Sequence, residues 1–281
     1  MSGNTFCPAS FRRSRAVSLS LFILGIIGLI SVVGPYLTGN DYLSIDLYNR
    51  FSSPAMAAQS YFGTDDLGRD LFSRTLMGVR VTLFVAVIAS LVSLFIGVLY
   101  GAIAGYLGGK VDAIMMRSVD ALYALPFIFL VILLMVVFEQ SMVLIFIAIG
   151  AINWLDMARI VRGQTISLKQ RGFVDAARLI GVSSGGIIWR HITPNLLGIV
   201  VVYMTLTIPQ AILVESFLSF LGLGIQEPQT SLGSLVNGGV NYMESAPWLM
   251  VIPATALALI LVCFNYLGDG LRDLVDPKST T

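Results

Sequence analysis

Few residues in this chain could do covalent or metal chemistry, and their spacing narrows the choice further. His191 is the only histidine among 281 residues. A zinc motif of the HExxH kind, and any serine or cysteine site that needs a second histidine, are therefore excluded. Cys7 and Cys263 stand near opposite ends, which gives neither a disulfide framework nor metal-ligand spacing. A phosphate loop fails as well. Lys110 follows a glycine, but Val111 stands where serine or threonine is required and Ala104 where the motif opens with glycine; neither Lys169 nor Lys278 follows a glycine. No cofactor or metal is expected on this chain, and if ATP powers its work a separate chain must bind the nucleotide. Glu215 is the one acid in the apolar run 196–221 and needs a partner or water there. Counting about 1.5 Å per residue from Gly198 puts it about 26 Å across, near the outer edge of a bilayer core. It either lines the outer mouth of a pathway or caps a helix in headgroup water.

The stretch most suited to a mechanical task is 172–195, GFVDAARLIGVSSGGIIWRHITPN, a polar insert between two greasy segments. Phe173, Val174, Ala177 and Ile180 share one helical face, Gly181 ends that turn, and Ile187, Ile188 and Ile192 resume the pattern beyond Ser183, Ser184, Gly185 and Gly186. A segment this short needs a groove for its apolar face, and an amphipathic helix in a partner's groove is a recurring recognition mode. The competing reading is a basic loop, with Arg171, Arg178, Arg190 and His191, lying on anionic lipid. Lipid binding would not require the break at Gly181.

Asp175, Ala176, Ala177, three residues, Gly181, nine residues, then His191, Ile192, Thr193 and Pro194 resembles the EAA loop of ABC importer permeases. Asp175 replaces the usual glutamate and Thr193 the usual leucine. The resemblance implies a coupling helix on a cytoplasmic ATPase, with Asp175, Ala176, Ala177, Gly181, His191 and Pro194 in the docking loop. GTDDLGRD (63–70), RIVRGQTISLK (159–169), ESFLSFLGLGIQEP (215–228) and GDGLRDLVDPK (268–278) are similar to the oligopeptide, dipeptide and nickel branch of that family, nearest its oligopeptide C-type subunits. What the branch implies is uptake of short peptides across a bacterial inner membrane. It also implies a second homologous permease subunit, two cytoplasmic ATPase subunits and an external substrate-binding protein. Dipeptide and nickel relatives share these motifs, so a dipeptide or nickel importer is the alternative within the branch.

The elements that must position this loop follow from composition: 56% hydrophobic and 12% charged residues, with a mean hydropathy of +0.85. Such a chain is an all-α polytopic membrane protein. The formal charge of +1 gives no bulk field for nucleic acid. About six transmembrane helices are expected, at 16–37, 81–105, 119–138, 142–154, 196–221 and 247–267, in a type I ABC importer permease fold according to the resemblance. The organisation is then a cytoplasmic tail 1–15, a first transmembrane helix 16–37, an external loop 38–80 with a surface helix, and a permease core 81–268. That core contains five helices and the coupling loop 163–195, and a cytoplasmic tail 269–281 follows it. The first span is too long for a signal-peptide core and has no convincing cleavage site.

Within the external loop, Thr64 reads as an N-cap, with Asp65 and Asp66 in the first turn and Leu67, Leu71 and Leu76 as an apolar stripe. Arg69 and Asp70 form a local ion pair on that solvated helix, or contact a binding protein or the partner permease. Gly97, Gly101 and Gly105 let another helix approach closely. Lys110, Asp112, Arg117 and Asp120 mark a short loop, Pro126 bends the third span or unwinds a turn of it, and 139–141 makes a minimal turn. Thirteen of the 17 lysines and arginines fall in segments that six crossings put on one side with both termini, while Arg50, Arg69, Arg74 and Arg80 fall opposite. The richer side is cytoplasmic. An ion-coupled carrier without an ATPase would need a midplane charge, and an intramembrane enzyme would need paired aspartates or a nucleophile constellation. Both leave 172–195 unexplained.

Overall fold

A computed structural model describes residues 8–37, 41–55, 60–126, 129, 131–133, 137 and 142–275. Among them the helices are α1 (Pro8–Leu37), α2 (Leu71–Leu107), α3 (Gly109–Tyr123), α4 (Met142–Lys169), α5 (Gly172–Leu179), α6 (Ser184–Ile187), α7 (Thr193–Phe220), α8 (Leu232–Val240) and α9 (Trp248–Val275). Pairing outside helices amounts to two isolated bridges among the described residues, Ala55 with Ser60 and Thr64 with Asp70. Four helical stretches are long and apolar enough to cross a bilayer: Arg15–Gly34, Leu71–Leu107, Ser184–Phe220 and Trp248–Asp273. The protein is an all-α, polytopic membrane protein.

Seven residues of the expected third span, 119–138, and the turn at 139–141 lie outside the described residues, as do the ends of both tails. The fourth span is longer than its apolar core suggests. It continues as α4 without a break to Lys169, because its charged residues 156–169 interrupt hydropathy but not helix propensity.

Three local expectations are corrected. Thr64 caps no helix: the chain turns at Gly63 and Gly68, both at positive φ, and Asp65 folds back to accept from the backbone N–H groups of Leu67 and Arg69. The helix starts seven residues later, where Asp70 accepts from the Ser73 N–H at 2.9 Å, and it runs unbroken through the expected boundary at 80/81. Among the described residues between α1 and that span, the helical structure is one short 3-10 turn, Leu47–Asn49. Residues 109–123 are helix α3 rather than a loop, with Asp112 in the first turn and Val119 as the buried side chain. Pro126 lies beyond the end of α3, where the chain is unwound.

The chain divides into two compact units, one of residues 1–84 with 212–281 and the other of residues 85–211. In the first, α9 packs with α1 and α8, and Leu71, Ala246 and Leu249 form a small core beside Phe51, Phe62, Tyr242 and Trp248. In the second, the C-terminal part of α2 runs parallel to α4, backbone against backbone. A Cβ added to Gly97 would lie 2.6 Å from Met157 Cβ, and one added to Gly105 would lie 2.7 Å from the Arg162 carbonyl oxygen. At Gly101 the added atom would press on the Ala158 carbonyl. The glycine row is thus a helix-packing seam, as small residues at four-residue spacing allow. Arg162 Nη2 donates to Asp112 Oδ2 at 2.6 Å and ties α3 to α4 at the same end.

Candidate functional site

The segment 172–195 folds as a hook. Asp175 sits in the first turn of α5 and Arg178 in the last, each favourable against the helix dipole, and they pair at 3.2 Å. The turn that follows is dictated by Gly181. At φ +82 it donates its N–H to the Arg178 carbonyl, and the Val182 N–H reaches the Ala177 carbonyl, both at 3.0 Å. This pair of bonds is the Schellman closure, which a left-handed residue makes possible. Ser183 then caps α6 by accepting from the Gly186 N–H. One π turn, Ile188–Ile192, precedes α7. Pro194 has no N–H to return to the preceding turn, and the wider turn before it accommodates that loss.

The hook's apolar residues split into two sets. Val174, Ala177, Ile187, Ile188 and Ile192 are buried in a core shared with Val98, Ala102 and Tyr106 of α2, Met157 and Val161 of α4, and Leu196 and Val200 of α7. Burial of each larger side chain there contributes about 1.5–3 kcal/mol. The groove these residues need is therefore supplied by their own chain, which corrects the expectation that the whole apolar face waits for a partner. Phe173, Leu179, Ile180 and Trp189 form the other set and are exposed, Leu179 at 88% and Ile180 at 79%. Arg178 and Lys169 bracket the ring of Tyr106, at 5.4 and 5.6 Å from its centroid.

Of the residues singled out by sequence, Asp175, Ala176, Gly181 and Pro194 are exposed and His191 is half-buried. Ala177 faces the chain's own core. Leu179 and Trp189 were not singled out. Leu179 adjoins Ile180, so the C-terminal side of the Phe173–Ile180 face was its available signal; Trp189 had none beyond being an aromatic among basic residues.

Glu215 neither lines a mouth nor meets headgroup water, because its surface is fully buried. Ser219 Oγ donates to it at 2.7 Å, and Thr82 and Ser216 approach at 3.4 Å. Thr82 Oγ1 also accepts from the Leu232 N–H, so the carboxyl knots α2, the end of α7 and the start of α8 together. Side-chain accessibility is invisible to a count along one helix, so the depth argument could not show that the carboxyl is enclosed.

A second charged cluster lies in the first unit. Arg69 donates Nε to Asp65 at 2.7 Å and Nη1 to both oxygens of Glu227 at 2.9 and 2.8 Å, while Arg74 Nη2 reaches Glu227 at 3.1 Å. Arg69 is thus not on a solvated helix, and its partner Glu227 escaped the sequence reading. The cluster borders a cavity of about 300 Å³. The Arg69 hydrogen bond, reinforced by Arg74 and opposed by partial burial, holds the Glu227 carboxyl below its usual range. A depressed value means the contribution is complete above the unfolded value of about 4.3 and is lost as pH falls through the lower folded value. Glu227→Gln is accordingly expected to melt earlier than the parent by a gap that stays constant from neutral pH down to that range and closes below it. Thermal melts in detergent across pH check this, and a gap that closes above pH 5 contradicts it.

No group of three histidine, cysteine, aspartate or glutamate side chains among the described residues could hold a metal ion. The long apolar helices define a multi-pass membrane protein. The profile of the family described as binding-protein-dependent transport system inner membrane component matches residues 97–281, and the chain belongs to that family. It is 53% identical over 268 residues to the oligopeptide transport system permease protein OppC of Escherichia coli K12, covering 95% of this chain and 89% of that one. It is 51% identical to OppC of Haemophilus influenzae, covering 95% and 86%, and 43% identical to the dipeptide transport system permease protein DppC of Bacillus subtilis, covering 95% and 83%.

Proposed function

We propose that this chain is the permease subunit of an ATP-binding-cassette importer and forms the pathway for short peptides with a second, homologous permease subunit. Two ATPase subunits dock on the 172–195 hook and hold the ATP and Mg, and an external binding protein delivers the substrate. Both termini and the hook then lie in the cytoplasm of a bacterium, with the protein in its inner membrane. Asp175, Ala176, Gly181, His191 and Pro194 form the docking rim, and Ala177 anchors it. ATP binding draws the ATPases together, and the hook passes that displacement to the helices on which it is packed.

The observation that carries this reading is the pair Leu179 and Ile180, which with Phe173 and Trp189 stand exposed on a hook whose Val174, Ala177, Ile187, Ile188 and Ile192 are locked into their own chain. A carrier working without ATPases leaves that face standing in water. The 51–53% identity to OppC of Haemophilus influenzae and Escherichia coli supports oligopeptides within the branch, whereas OppC and DppC of Bacillus subtilis, at 41% and 43%, do not separate the two substrates. Purification of the tagged chain in mild detergent is expected to bring down two kinds of partner, ATPase subunits and another permease. A lone chain that still moves substrate overturns the reading.

A further inference from the structure

The second unit presents two chemically opposite faces at one membrane depth. The contacts of Gly97 with Trp154 and Met157, and of Gly101 with Ala158 and Arg162, set the register between α2 and α4 and put Asp156 and Arg159 level with Gly97–Gly101. From 81 to 107 α2 carries no charge, so this level lies about six to ten residues, roughly 10–15 Å, inside the end of its apolar run. Around this level α2 exposes Phe95, Ile96 and, closer to the inner end, Ile103. That surface is apolar and suits contact with lipid. On α4 the exposed side chains are instead Asp156 and Arg159. Tyr123 Oη, from the end of α3, donates to Asp156 Oδ1 at 2.6 Å, Arg159 Nη2 donates to Asp120 Oδ1 at 2.8 Å, and the Arg159 guanidinium lies 4.4 Å from the Tyr123 ring centroid. All four residues are exposed, Arg159 at 42% and Asp120 at 60% of their side-chain surfaces.

Charged groups at this depth avoid hydrocarbon and face a bundle interior or a water-filled cavity. Exposed pairs in water hold one another weakly and exchange partners readily. We infer that Asp120, Tyr123, Asp156 and Arg159 line the inner, water-filled part of the pathway and form a transient binding site for the charged ends of a zwitterionic peptide. Arg159 releases Asp120 to take the peptide carboxylate, and Asp120 and Asp156 receive its ammonium group. The inference rests on the transport reading above and adds to it the wall that the substrate touches.

The test uses the whole complex in inside-out vesicles, with Cys7 and Cys263 first replaced by serine and alanine. Single cysteines at 156 and 159 are expected to react with a charged, membrane-impermeant maleimide at least about tenfold faster than cysteines at 95 or 103. In proteoliposomes Arg159→Gln is expected to lower uptake of a free-ended tripeptide about tenfold, with a much smaller effect on the same peptide amidated at its C-terminus. Arg159→Lys, which keeps the charge, is expected to restore part of the loss. Cysteines at 156 and 159 as unreactive as those at 95 and 103 overturn the inference, as does an equal loss for both peptides. Charge variants that split the permease pair show an interface between subunits instead and also overturn it. Absence of uptake by the unaltered complex sinks the transport reading itself, whereas normal uptake combined with shielded cysteines sinks only the pathway wall.

Discussion

Gly181→Trp is expected to insert normally and to lose its ATPase partners, with peptide uptake about a hundredfold lower. The fold has room for the substitution: a Cβ at Gly181 meets nothing within 4 Å. Its local cost is therefore the left-handed backbone, about 1–2 kcal/mol, which frays the end of α5 without disturbing the buried core of the hook. The indole projects beside Leu179 and Ile180, where the proposed partner must close. Gly181→Ala carries the same backbone strain without the bulk, so it is expected to keep most of the association. Copurification of ATPase subunits, read beside uptake and membrane yield, separates the two variants. Retention of both partners and uptake by the tryptophan variant removes the docking role from this loop.

The second large effect falls on Glu215. Glu215→Leu leaves the hydroxyl of Ser219, with those of Thr82 and Ser216, without its acceptor in a fully buried place, at a cost of about 3 kcal/mol. The start of α8 loosens with them, because Thr82 also holds the Leu232 N–H. Glu215→Gln keeps an acceptor oxygen and is expected to approach the parent. Melting temperature in detergent and protease resistance of the 221–247 segment measure the difference. Equal stability of the leucine and glutamine variants contradicts the assigned role, since hydrogen bonding is then irrelevant at this position.

Much of the hook was legible in sequence because its signals are local. Gly181 ends α5, Ser183 starts α6, and the apolar period around Val174 and Ala177 gives a helix face within a few residues. Sequence could not say which half of the apolar set is occupied at home, since Ile187 and Ile192 pack on α2 and α4, both distant in the chain. The same limit hid Glu227, which lies 158 residues from Arg69. The error at Thr64 has another origin. Thr-Asp-Asp is a good helix opening, but the flanking glycines at positive φ and the demand of Arg69 for Asp65 turn the same residues into a tight non-helical loop. At 109–123 alternating charges looked like a loop because they interrupt hydropathy, whereas helix formation depends on propensity and on one buried stripe. The glycine seam was recoverable because its spacing is a property of one helix.

The seam also decides what kind of machine part the second unit is. With carbonyls and side chains of α4 resting directly on the bare backbone of α2 at three glycines, and the Tyr100 and Trp154 rings locked edge to face beside them, the two helices have little room to slip. The hook is wedged into that same slab at Val174, Ile187 and Ile192. A tug on Ile180 is consequently not absorbed in a swinging tether: it tips a stiff plate, and whatever opens or shuts at the far margin of the plate does so in step with the hand that pulls it.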